Sequence, residues 1–371
     1  MVETKETGSV ANSAAAATSL FGEIAKYEHE QVVFCYDPAT GLKAIIGIHN
    51  TVLGPALGGT RMWNYATEAE AVRDVLRLSR GMTYKNAVAG LNHGGGKAVI
   101  LGDPRQGKSE ALLRRFGKFI QSLNGKYITA EDVGMSTRDI EYVAMETRWA
   151  SGRPEGDGGS GDPSPVTAYG TWMGMKAAAA KAFGSDSLAG RRISVQGAGS
   201  VGSHLIGHLI KEGAIVFVTD LHEDRLEVVA QQHPITVVKP DEIYDLDVDI
   251  YAPCALGGTL NHDTLPRLKC RVVAGAANNQ LENEDLHADA CAERGILYAP
   301  DFLINAGGVV NVAMEFTGYN REKAYKHAEK IYDTTLRIFE KAEREGINTH
   351  QAAMRVAQER IQQMAQLNAR L

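Results

Sequence analysis

Two lysines sit where lysine is unusual: Lys85 in Gly-Met-Thr-Tyr-Lys-Asn-Ala, and Lys97 in Gly-Gly-Gly-Lys-Ala-Val. Their flanks are apolar or glycine, not the charged neighbours of a solvated surface. Two ammonium groups in one partly dry pocket disfavour each other's charge. At least one is expected to have a lowered pKa and to serve as a base near neutral pH. The other can stay charged and hold an anion such as a carboxylate. The three glycines before Lys97 are expected to let the backbone come close to whatever that ammonium touches.

The second half carries a phosphate-binding pattern. Gly197, Gly199 and Gly202 spell G-x-G-x-x-G, with Ala198, Ser200 and Val201 between them. A β-type run, Ile193–Val195, precedes it, and a helical pattern of Val201, Leu205, Ile206 and Leu209 follows. A second strand then ends at Asp220. That context predicts a dinucleotide site. Gly197 makes the tight turn, Gly199 admits the pyrophosphate, and Gly202 packs helix on strand. The helix N-terminus attracts phosphates through free N–H groups and its dipole. Asp220 is expected to accept a ribose 2′-OH and repel a 2′-phosphate, favouring NAD over NADP. Leu221 adds no positive charge, while His222 and Arg225 lie near enough to leave room for NADP. A P-loop reading of the first glycine cluster fails: Leu91 stands where its leading glycine belongs, and Ala98 has no hydroxyl for Mg²⁺. His204 and His208 lack a carboxylate placed to complete a metal site, so no metal is expected.

A length of 371 residues predicts two domains. A net charge of −6, with no basic block or stripe, argues against a nucleic-acid surface. No apolar run is long enough to cross a membrane. The Ala/Ser-rich first twenty residues lack the basic start and apolar core of a secretory signal and read as a flexible extension. Cys35, Cys254, Cys270 and Cys291 stand apart with no C-x-x-C, which fits a reducing cytoplasm.

Strands are expected at Gln31–Tyr36, Leu42–His49, Lys97–Leu101 and Tyr127–Ala130, and helices from about Thr67 to Met82 and over Lys108–Leu123. Lys97 then starts one strand and Asp132 follows the end of another, a layout for a cleft. The Gly/Pro-rich stretch 151–165 predicts a linker and hinge. A helix over Thr167–Phe183 leads into alternating strands and helices: a doubly wound, mostly parallel sheet. The chain thus divides into an N-terminal α/β substrate domain, 21–150, and a Rossmann-type NAD domain, 166–345. A tail helix, 346–371, packs back on the first domain.

Several stretches are similar, almost letter for letter, to the glutamate/leucine/phenylalanine/valine dehydrogenase superfamily. They are Leu53-Gly-Pro-Ala-Leu-Gly-Gly-Thr-Arg-Met-Trp, Gly81-Met-Thr-Tyr-Lys-Asn-Ala, Gly94-Gly-Gly-Lys, Ile128-Thr-Ala-Glu-Asp-Val-Gly, Ala252-Pro-Cys-Ala-Leu-Gly-Gly and Ile304-Asn-Ala-Gly-Gly-Val. The chain resembles the leucine dehydrogenase branch most. The resemblance implies that Lys97 is the general base for water, Lys85 binds a substrate α-carboxylate, and Asp132 handles amino-group protons. It places Gly58 and Met82 in the substrate cleft, and Thr167, Arg61, Ala255 and Asn279 near cofactor or substrate. Asn279 also reads as an ordinary turn residue. Leu57 stands where glutamate-specific relatives carry a lysine; with Ala130, Val309 and Val312 it implies a pocket for an aliphatic side chain. The implied reaction is NAD-dependent oxidative deamination of a branched-chain amino acid, with phenylalanine as the alternative substrate. A homo-oligomer is implied, commonly an octamer. His93 and Met135 depart from the family pattern.

Overall fold

The computed structural model describes residues 19–369. Most of the expected N-terminal extension therefore lies outside the described residues. The chain builds two six-stranded sheets, each with its own helices.

The first half runs α1 (Leu20–Tyr27), β1 (Gln31–Asp37), β2 (Leu42–Asn50), β3 (Ala56–Leu57), β4 (Thr60–Trp63), α2 (Glu68–Val88), β5 (Gly94–Leu101), α3 (Glu110–Ser122), β6 (Tyr127–Ile128) and α4 (Thr137–Ala144). Strand order is β1-β2-β5-β3-β6. Both β3 and β4 pair parallel to β5 on one edge, separated by Gly58 and Gly59. On the other edge β2 runs antiparallel, with Gly47 opposite Lys97.

Helix α2 starts as its sequence predicts, with the Thr67 hydroxyl accepting from Glu70 N. It continues past the expected end at Met82 to Val88. The apolar period is masked there because a polar residue, Asn86, takes a core position. Its amide donates to Leu57 O and Gly94 O, so burial leaves those donors satisfied. Strand β5 also begins three glycines earlier than expected, at Gly94.

The second half runs α5 (Ser164–Phe183), β7 (Arg192–Gln196), α6 (Ser200–Glu212), β8 (Ile215–Thr219), α7 (Glu223–Gln232), β9 (Thr236–Val237), β10 (Ile250–Pro253), β11 (Val272–Val273), α8 (Glu284–Glu293) and β12 (Leu297–Tyr298). Short helices α9 (Asp301–Ile304) and α10 (Gly307–Ala313) follow, then α11 (Arg321–Glu345) and α12 (Thr349–Asn368). Every pairing is parallel, in the order β12-β11-β10-β7-β8-β9. The order reverses between β10 and β7, which opens a crevice at the carboxyl ends of the strands.

The segment expected as a slack linker is stitched down. Ser151 N and Oγ both donate to Thr129 O, at 2.9 and 3.1 Å, in the first domain. One residue on, Gly152 N donates to Glu315 Oε1 at 2.7 Å, in the second. The same oxygen accepts from Ser160 N and Oγ, at 2.8 and 2.5 Å. Arg321 pairs with Glu155, and Asn311 donates to Ser160 O. Helix α5 begins inside the expected linker, since a proline is tolerated in a first helical turn. Helix α12 starts on the second domain, where Thr349 donates to Tyr298 O, and ends on the first, where Arg360 donates to Ala87 O and Leu91 O. Among the described residues no helix is long and apolar enough to cross a membrane.

Behind the shared face of α2 and β2, two histidines are buried neutral. His29 Nε2 bonds Ser79 Oγ and His49 Nδ1 bonds Thr83 Oγ1, each at 2.7 Å, with the rings 4.9 Å apart. Burial chiefly lowers both to about 4, and the charge each would place on the pair lowers His29 further. The unfolded rings titrate near ~6.5. The unfolded chain therefore binds more protons between those values, and stability falls as pH drops from about 6.5 towards 4, by roughly 3 kcal/mol per ring at most. The thermal midpoint is expected to fall steeply over that window. His49→Gln should flatten part of the slope; an unchanged slope would mean His49 stays accessible to protons when folded.

Candidate active site

Strand alternation puts Gly95, Lys97 and Val99 on the face of β5 that α2 covers. Val99 packs there with Ala71, Val75 and Leu76. A Cβ on Gly95 would lie 2.0 Å from Thr83 Oγ1 and 2.2 Å from Thr83 N. On the other face, a Cβ on Gly94 would lie 1.9 Å from Asn50 O, and one on Gly96 2.7 Å from the Tyr127 ring. The triple glycine thus serves close packing of the protein on itself, not the ligand approach expected from sequence.

The Gly58–Gly59 break between β3 and β4 matters equally. A Cβ on Gly58 would lie 1.8 Å from Gly96 O and 3.1 Å from Met82 Cγ; one on Gly59 would lie 2.6 Å from Glu131 O. Tyr127 OH donates to Gly58 O at 2.7 Å and fixes the break. The loop after β6 can then bring Asp132 against β5. Lys97 Nζ lies 3.0 Å from Asp132 Oδ2, with the lysine side chain only 6% exposed. Arg61 Nε donates to the same oxygen at 3.1 Å. Burial pushes Asp132 up, but the charges of Lys97 and Arg61 outweigh it and hold the carboxyl below its usual range.

Lys85, on the last turns of α2, reaches across the cleft. Its Nζ donates to Asn305 Oδ1 at 2.7 Å and Asn278 Oδ1 at 3.4 Å, and Asn305 Nδ2 donates to Asn278 Oδ1 at 2.8 Å. Burial brings Lys85 down to about 8; the charge of Asp301 opposes this and that of Lys97 adds to it. Its hydrogen-bond partners are neutral amides, whereas Lys97 has a carboxylate. Asp301 is itself buried, accepting from Gln280 N at 2.8 Å and Phe302 N at 2.6 Å.

Sequence reasoning missed Asn278, Asn305 and Asp301. Asn305 lies in the Ile304-Asn-Ala-Gly-Gly stretch, so its motif was visible though its partner was not. Asn279 takes the turn role: its φ is +52°, its side chain is exposed, and its carbonyl accepts from Gly258 N. Leu57, Ala130, Val309 and Val312 are all buried within one apolar cluster that spans both domains, and Met82 packs on it. Arg61 is tied to Asp132 and Asp74, away from the crevice beside the glycine loop. Thr167 also lies off the crevice lining; its hydroxyl donates to Pro163 O at 2.8 Å and sits beside Gly308. His93 is half-buried beside Phe316, where burial lowers its pKa. Met135 is a core residue of the first domain.

The crevice beside the glycine loop, about 540 Å³, is lined by Gly197, Gly199, Asp220, Leu221, Tyr244 and Ala255 among others. Gly197 has φ +112°, and a Cβ on it would meet Ala255 N at 2.9 Å. A Cβ on Gly202 would lie 2.0 Å from Gly197 O. At Gly199, by contrast, the space is open, with Arg225 Nη1 the nearest atom at 3.8 Å. Ser200 and Val201 open α6, whose N-terminus has no side-chain cap, leaving N–H donors for an anion. Asp220 is held on the loop by Ala198 N at 2.7 Å and His222 N at 2.9 Å. These residues fit a dinucleotide: a tight turn, an open approach, free donors and a fixed carboxylate. Among the described residues no group of three or more His, Cys, Asp or Glu could hold a metal.

The family model described as Glu/Leu/Phe/Val dehydrogenase, dimerisation domain, matches residues 29–149. The one described as Glutamate/Leucine/Phenylalanine/Valine dehydrogenase matches 158–222 and 218–368. The chain belongs to this dehydrogenase family. Leucine dehydrogenase of Thermoactinomyces intermedius is 56% identical to it over 345 residues, 93% of this chain and 94% of that one. Valine dehydrogenase of Streptomyces coelicolor is 53% identical over 336 residues, 90% of this chain and 92% of that one. In structure, L-tryptophan dehydrogenase from Nostoc punctiforme superposes with a TM-score of 0.83 at 47% identity, covering 94% of this chain and all of that one.

In this dehydrogenase, Gly202→Ala should force the loop off its helix. Binding of NADH, followed by fluorescence, is expected to weaken by at least about tenfold, the effect of roughly 1.4 kcal/mol. Unchanged binding would mean the loop is not the dinucleotide cradle.

Proposed function

We propose that this dehydrogenase catalyses reversible, NAD-dependent oxidative deamination of a branched-chain L-amino acid, L-leucine first, to the 2-oxo acid, ammonium and NADH. The observation that carries this reading is the buried Lys97–Asp132 contact at 3.0 Å, on the same side of the sheet as Lys85. The glycine loop, the α6 N-terminus and Asp220 would hold NAD. NAD, when bound, supplies the acceptor for a hydride from the substrate Cα, which leaves the substrate as its iminium.

The protein's own groups do the rest. Charged Lys85 holds the α-carboxylate and so fixes Cα relative to the cleft. Lys97 takes a proton from water as that water adds to the iminium carbon. Asp132 passes protons to and from the nitrogen as the carbinolamine collapses to 2-oxo acid and ammonium. Fixed charges in a dry cleft stabilise the charge that develops, at no cost in reorganisation. Leu57, Ala130, Val309 and Val312 would take the aliphatic side chain. A carboxylate-tipped side chain would be left unpaired there, which is costly. A difference of one methylene is worth only about 1–3 kcal/mol, so valine and isoleucine are expected as further substrates.

Closure of the cleft would pivot between Ser151 and Gly152. The first is bonded to Thr129 and the second to Glu315, and Gly152 has φ +81°. We also propose a homo-oligomer working in the cytoplasm. All four cysteines are free thiols, which supports a reducing compartment.

Absorbance of NADH on adding L-leucine, L-valine, L-phenylalanine or L-glutamate with NAD at mildly alkaline pH tests the reading. Turnover with the branched-chain acids is expected, and none with glutamate. Lys97→Ala should abolish it with NAD affinity nearly intact; retention of most of kcat would overturn the assigned base. Lys85 gives a second test. Inhibition by 4-methylpentanoate, leucine's carbon skeleton without the amine, needs Lys85 charged. Its inhibition constant is expected to rise as pH passes about 8, towards about tenfold per unit. Lys85→Arg should keep it flat; a flat wild-type profile to pH 10 would remove Lys85 from carboxylate binding.

A further inference from the structure

Arg61 and Lys97 compete for one oxygen. Arg61 Nε donates to Asp132 Oδ2 at 3.1 Å, and Lys97 Nζ forms an ion pair with the same oxygen at 3.0 Å. Arg61 is on β4, paired with β5 at Val99. Its other bonded nitrogen, Nη1, donates to Asp74 Oδ2 at 3.0 Å, from α2. That oxygen also accepts from Tyr65 OH at 2.7 Å, and Asp74 Oδ1 accepts from Arg77 at 3.1 Å. Arg61 and Asp74 are largely buried, with side chains 22% and 15% exposed. A chain of charge-assisted bonds therefore runs from Tyr65 through Asp74 and Arg61 to Asp132 and Lys97.

We propose that Arg61 is a positioning residue that keeps Asp132 seated and ionised while Lys97 gives up and regains its proton. The inference rests on the base role proposed for Lys97. A guanidinium does not titrate in the working range, so its hold on Asp132 is constant. Lys97 must alternate between charged and neutral. When it is neutral, Asp132 would otherwise face the cleft as a buried carboxylate without a cation. When it is charged, the shared oxygen divides its charge between two donors, so Asp132 holds the lysine proton less strongly. Other titratable groups face this cluster too: Lys85 from α2, Tyr127 from β6, and Tyr65 beyond Asp74. Arg61 is the cation bonded directly to Asp132 besides Lys97.

Removing the guanidinium should let Asp132 grip the Lys97 proton harder. The rising limb of the kcat/KM–pH profile in Arg61→Met is then expected to move up by at least about half a unit. An independent reading is the pH dependence of Lys97 acetylation by acetic anhydride, followed by peptide mass spectrometry, which should move the same way. Arg61→Lys keeps the charge without the fork that spans both carboxylates, and should fall between. The NAD dissociation constant, by fluorescence, should change less than about twofold in both variants. If the limb and the acetylation midpoint stay put, the proposal is overturned. It is equally overturned if NAD affinity drops tenfold with the limb fixed, which would make Arg61 a cofactor ligand. Should Arg61→Met not fold, Arg61→Lys carries the same two outcomes. A wild-type enzyme that turns over no amino acid would instead sink the functional reading, and the acetylation profile would still judge Arg61.

Discussion

The distance between α2 and β5 governs this molecule. It is set by the missing side chain at Gly95, against which Thr83 lies. Lys85 and Lys97 belong to those two elements, and so do Asp74 and the partner strand of Arg61. A methyl group at Gly95 would have to displace helix backbone, which cannot swing aside as a flexible side chain can. The same contact seats Asn86 on Leu57 O and Gly94 O, so the helix is held by polar bonds in a core that excludes water. Geometry at the reacting centre is thus a result of backbone packing one layer behind it.

Charge is divided unevenly across the cleft. The first domain brings Lys85, Lys97, Asp132 and Arg61. The second brings neutral amides, Asn278 and Asn305, and the apolar Val309 and Val312. Asp301 is the nearby exception, and two backbone N–H groups already bond it. Lys85 is the one charge of the first domain that the approach of the two halves desolvates against neutral groups, and burial lowers its pKa accordingly. A carboxylate entering beside Lys85 would meet one buried ammonium and two amides, Asn278 and Asn305.

Local patterns were legible in the chain and distant pairings were not. The glycine fingerprint reads directly because turn, strand and helix follow one another within a few residues. Helix α3 falls within its expected bounds, since Leu112, Leu113, Phe116 and Ile120 recur at helical spacing. The end of α2 was hidden because Asn86 is polar yet buried. Lys97 and Asp132 were legible from residue type and strand layout, whereas Leu57 and Ala130 were named only through the resemblance, and the contacts of all four depend on strands far apart in sequence. Arg61 shows the limit: its motif was visible, but its two carboxylate partners come from a helix and a loop that only the folded sheet brings together. Asn278, beside a turn asparagine that drew the attention, needed the reach of Lys85 to be found.

The handover at Ser151 and Gly152 has a further consequence. One residue is bonded wholly to the first domain and the next wholly to the second, so the covalent seam is a single peptide. Recombination between related genes at that seam would cut no hydrogen bond of the linker, and the two halves could be inherited separately. Such shuffling is resisted by the apolar cluster shared between the halves and by Arg360 and His327, which both bond the end of α2, so a transplanted half must fit its new neighbour.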